Sequence, residues 1–166
     1  MAITQAEIKV YYASGQTALT GQTGSRTTAA NGGNISITEV PDNQLNNLFP
    51  DITGDEAAAG VVKYCKIFVK NTNASLTWQN VKSWISSITP GTDNEIAIAL
   101  EGSANDTEPP ASGNFTTPTS KATGLSLSNI ASNGAVGLWV RWTVDAGATA
   151  KANEAGTVRF EGDTAA

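Results

Sequence analysis

Apolar residues recur at every second position in short runs, and almost nowhere at the spacing of an amphipathic helix. "KYCKIFVK" puts Cys65, Ile67 and Val69 on one side of an extended chain and Tyr64, Lys66, Phe68 and Lys70 on the other. "EIAIALEG" repeats the pattern with Ile96, Ile98 and Leu100. Further runs of the same kind are "EIKVYYA", "NISITEV", "GLSLSNI", "AVGLWVRWTV" and "GTVRFEG", with two strands in the middle at roughly 61 to 70 and 80 to 88. Gly, Pro and Asn separate most of them and supply the turns. The pattern predicts an all-β chain, an antiparallel β-sandwich of about eight strands, immunoglobulin-like or jelly-roll-like. A closed barrel is the alternative, because strand number alone does not separate the two.

The predicted core is Ile67, Val69, Val81, Ile85, Ile98, Leu100, Leu127, Val140, Trp142, Val158 and Phe160. A chain of 166 residues is about one domain in size and can bury such a core without staples. Residues 34–166 are expected to form the sandwich. Residues 1–33 are expected to add an N-terminal strand and a flexible loop or arm. The stretch "SGQTALTGQTGSRTTAANGG" has no periodicity over about 20 residues, so it reads as a surface loop or as an arm that another chain orders. "PDNQLNNLFPDITGDEAAAG" reads as irregular, with at most a helical turn around Leu45, Leu48 and Phe49 that Pro50 ends.

Charged residues make up only 15% of the chain, and the formal net charge is -5. Ten Lys and Arg in all are too few and too scattered to follow a phosphate backbone, so no nucleic-acid partner is expected. The opening "MAITQAEIKV" lacks the pattern of a signal peptide, and no window approaches 18 apolar residues, so no membrane partner is expected. Cys65 stands alone inside an apolar run and reads as a buried thiol.

Histidine is absent, which removes the commonest general base and the commonest metal ligand together. A Cys–His nucleophile is excluded with it. The remaining catalytic route is a carboxylate pair of the glycoside-hydrolase kind, from Asp93 with Glu95 or from Glu101 with Asp106 and Glu108. All of these lie in or beside polar loops, where solvated surface charge is the simpler reading. "DITGDE" offers Asp51, Asp55 and Glu56 as weak candidates for a hard cation such as calcium, without the full twelve-residue loop pattern. No cofactor is expected. Four tryptophans, Trp78, Trp84, Trp139 and Trp142, keep a carbohydrate-binding module as an alternative if two share an exposed face.

Trp139 and Arg141 pose a separate question. If Leu138, Val140, Trp142 and Val144 face the core, Trp139 and Arg141 lie on the opposite face. Trp and Arg are enriched where a few contacts dominate protein binding, which makes this pair a candidate interaction site. The competing expectation is that a loop of the same chain, residues 103 to 120 with its three prolines, covers Trp139.

The order of "KYCKIFVKNTNASLTWQNVKSWI", "PTSKATGLSLSNIASNGAVGLWVRWTVDAGATA" and "GTVRFEGDT" resembles small immunoglobulin-like decoration or head-associated proteins of tailed bacteriophage virions. The resemblance spans about residues 61 to 163. It implies a non-enzymatic structural protein, made in the bacterial host cytoplasm and located in the virion. Its partner would be the major capsid protein or another virion protein, and its copies would be able to self-associate. It carries over no catalytic residues.

Overall fold

The computed structural model describes residues 2–16, 31–88, 93–149 and 155–164. Most of the sequence-predicted loop or arm, residues 17–30, lies outside the described residues. Among the described residues, the alternating runs form eight strands: β1 (Ile8–Ala13), β2 (Ile35–Glu39), β3 (Val61–Asn71), β4 (Trp78–Ile88), β5 (Asn94–Leu100), β6 (Leu125–Ser126), β7 (Ala135–Val144) and β8 (Gly156–Thr164). All pair antiparallel. They make two sheets, β2-β1-β3-β7-β5 and β6-β4-β8, rather than a closed barrel. β1 lies between β2 and β3, so residues 8–13 belong to the large sheet.

The core between the sheets follows the alternation. Cys65, Ile67, Ile98, Leu138 and Val140 of the large sheet are 2% exposed or less. Val69 and Val81 are equally buried beside Trp78, Leu127 and Ile130. Trp142, Val158 and Phe160 are only partly buried, at the margins of these clusters. Leu100 departs from expectation at 39% exposed. It is the last residue of an edge strand, with only β7 beside it.

One feature is unlike an ordinary sandwich. Residues 65–69 of β3, 97–99 of β5 and 137–140 of β7 are buried without interruption. A strand with one wet face alternates between buried and exposed, so the middle of the large sheet is covered on both faces. Over β5, Lys66 and Trp139 the second cover comes from the 101–118 segment, which has no regular strand. Its Thr116 exchanges two backbone hydrogen bonds with Ile98 on the free side of β5, at 2.9 and 2.8 Å.

A short helix, α1 (Gly54–Ala59), falls where the sequence reads as irregular. Thr53 accepts from the Glu56 N–H, and Glu56 accepts from the Thr53 N–H, closing a capping box. Gly60 ends the helix at φ 78°, a conformation favouring glycine. Among the described residues, no helix is long and apolar enough to cross a membrane.

Candidate functional site

Alternation along β7 does send Trp139 and Arg141 to the face opposite the inter-sheet core. Trp139 is nevertheless 0% exposed. It packs with Ala97, Ala99 and Phe115, with Tyr64 partly buried alongside. Phe115 comes from the covering segment, and the alanines of β5 are small enough to leave room for the indole. Among the described residues, the Trp139 Nε1 has no hydrogen-bond partner. With no exposed surface, Trp139 is in no position to touch another molecule. A loop of its own chain covers it, as the competing expectation had it.

Arg141 belongs to the same closure. Its guanidinium sits 4.8 Å from the Phe115 ring centroid, pairs with Glu95 at 2.7 Å and donates to the Ser112 carbonyl at 3.3 Å. A planar cation over an aromatic face with a carboxylate at its rim is a favoured arrangement for arginine. Here it clamps the loop to the sheet.

A lysine in the middle of β3 does the same from underneath. Lys66 is 0% exposed, beside Trp139 on the same face. Its ammonium lies 2.9 Å from Glu101 Oε2 and donates to the Ser103 and Ala104 carbonyls at 3.1 Å each. Glu101 Oε1 accepts from the Gly137 N–H at 2.6 Å. A Cβ at position 137 would overlap that carboxylate, so only glycine permits the approach. Asp106 accepts from the N–H groups of Gly102 and Ser103, and its carbonyl accepts from Gly33. The buried charge is thus paired and surrounded by acceptors, as a buried ammonium requires.

The catalytic candidates are therefore distributed among structural tasks. Glu95 holds Arg141, Glu101 holds Lys66, Asp106 caps its own turn, and Asp93 accepts from the Thr149 N–H at 3.3 Å. Glu108 is exposed in the covering segment. The three metal candidates are not assembled either. Asp51 accepts from Asn46, Asp55 is exposed in the first turn of α1, and Glu56 pairs with Lys63 at 2.9 Å. Burial raises the Glu56 carboxyl, but the Thr53 N–H and the Lys63 ammonium outweigh it and leave it below its ordinary value of 4.5. Among the described residues, no group of three His, Cys, Asp or Glu is placed to hold a metal.

The tryptophans likewise provide no paired platform for a sugar. Trp78 and Trp84 are each 6% exposed, and Arg159 lies 5.6 Å over the Trp84 ring. Only Trp142 is partly open.

Two surface features were not visible in the sequence. The first is a cleft of about 560 Å³ at one end of the sandwich, between the edge strands β5 and β8 and the 44–54 segment. Trp142, Phe49, Ile96 and Val158 give it an apolar floor, and Asn46, Asn47 and Thr149 lie among its polar lining. The Phe49 ring tilts against Trp142 with centroids 5.8 Å apart. The second is the edge strand β2. Its register against β1 shifts between Tyr11 and Ala13, and Ile37 within that irregular stretch is 99% exposed. Comparison with known protein families, curated proteins and solved structures finds no match for this chain.

Proposed function

We propose that this chain is a non-enzymatic structural protein that binds a repetitive protein lattice, as a decoration or stabilising subunit of a virion shell. Ile37 carries the reading. An edge strand presents unpaired backbone groups, and a fully exposed isoleucine on it adds an apolar contact for a protein that covers the edge. The use of the buried and paired charges supports it, since Lys63, Lys66 and Arg141 all hold the fold together. Two antiparallel sheets in a sandwich-like arrangement are compatible with the fold class that the resemblance implies.

The test is cosedimentation of the labelled chain with particles of the virus that encodes it, read alongside electron microscopy of the same particles. The reading expects saturable binding in fixed proportion to the shell protein, and weaker binding by Ile37→Asp. Particles that carry no copies and bind none would overturn it.

A further inference from the structure

The sheet order β2-β1-β3-β7-β5 places two unlike edges on opposite sides of one sheet. On the β2 edge, Ile37 projects with essentially its whole side chain in solvent. The only acid of that strand, Glu39, is already paired with Lys9 at 2.9 Å. On the β5 edge, Thr116 fills the backbone position at Ile98. Alternate residues of an antiparallel strand direct N–H and C=O to the same side, so Ile96 turns its pair outward as Ile98 does. Among the described residues, nothing bonds to the Ile96 pair. Ile96 also lines the Trp142–Phe49 cleft.

We infer that β2 of one copy docks on β5 of the next, with Ile37 in the Trp142–Phe49 cleft and the 35–39 backbone along Ile96. An apolar knob meets an apolar floor, and an extended segment meets an unfilled ladder position, which is the chemistry of strand addition. Among the described residues, Asp51 is the one ionisable residue of the cleft lining, and it already accepts from Asn46. The two surfaces differ, so the contact is head-to-tail and leads to a ring or a filament, not to a closed symmetric pair. A contact this small is weak in dilute solution, with Kd on the order of 10 μM to 1 mM. It becomes effective when a lattice holds copies side by side.

This inference deepens the lattice reading by naming a second copy as the partner of one surface. Its test uses the isolated chain, so its failure leaves shell binding to the particle experiment. Sedimentation velocity over rising concentration is measured for the wild type, for Ile37→Asp and for Thr149→Trp. The last fills the cleft from an exposed rim position. Circular dichroism and cooperative unfolding establish that both variants are folded. The wild type should associate beyond dimer, and each variant alone should weaken association at least about tenfold, as loss of a central anchor does. The two variants mixed should form a 1:1 heterodimer and nothing larger, because each retains the surface the other lacks. A wild type that stays monomeric at about 1 mM overturns the inference. So does unaltered association by Ile37→Asp, or a mixture that forms no heterodimer.

Discussion

The two faces of β7 are both buried, by different means. Toward the small sheet, Leu138 and Val140 are covered by regular strands whose apolar residues alternate as theirs do. Toward the 101–118 segment, Trp139 is covered by one aromatic residue, two clamps and a pair of bridging hydrogen bonds. The first cover is hydrophobic contact repeated along several strands. The second is an irregular segment held at a few polar points. Burial fraction alone hides this difference, because Trp139 at 0% and Val140 at 1% look alike. A cover fixed at few points depends heavily on those of them that are buried.

That contrast sets the order of expected effects. Trp139→Ala should be the most damaging, at about 3–5 kcal/mol in urea unfolding, because it empties the centre of the second core. Lys66→Ala should follow at about 3 kcal/mol, since it leaves Glu101 without its counter-ion and takes one donor from each of three loop carbonyls. Thermolysin digestion of the same variant should cut within 101–118 well before the strands are lost. Trp142→Ala should cost less than Trp139→Ala, about 2 kcal/mol, because its ring already borders an open cleft. Equal losses for the two tryptophans would erase the distinction between them. Arg141→Ala should cost under about 1 kcal/mol, as its partner Glu95 is half exposed.

How much of this was legible in the sequence follows from the same contrast. Strand alternation reports on contact between regular surfaces, so β3, β4, β5 and β7 fall where period 2 puts them. It also sends Trp139 and Trp142 to opposite faces correctly. It is silent on the second cover, because Phe115 sits alone in a stretch without periodicity and its contact with Trp139 exists only in three dimensions. The sequence places Lys66 on the face opposite Cys65 and Ile67 and says nothing of its burial, since its partners include loop carbonyls that no pattern marks. Helix α1 did leave a signal, Thr53 followed three residues later by Glu56, which a reading of "DITGDE" for carboxylates passes over. The cleft has no sequence signature. It arises where the 44–54 segment and the ends of β5 and β8 fail to close over Trp142.

The central claim is that the 101–118 segment is a third layer of the fold and not a loop lying on a finished sheet. Native-state hydrogen exchange at Thr116 and Ile98 tests it most directly, since their amides form the bridge between segment and sheet. If the segment is part of the cooperative unit, both amides exchange only by global unfolding, with the same opening free energy as the β7 amides. Exchange at Thr116 and Ile98 through a local opening, several kcal/mol cheaper than at β7, would contradict the account.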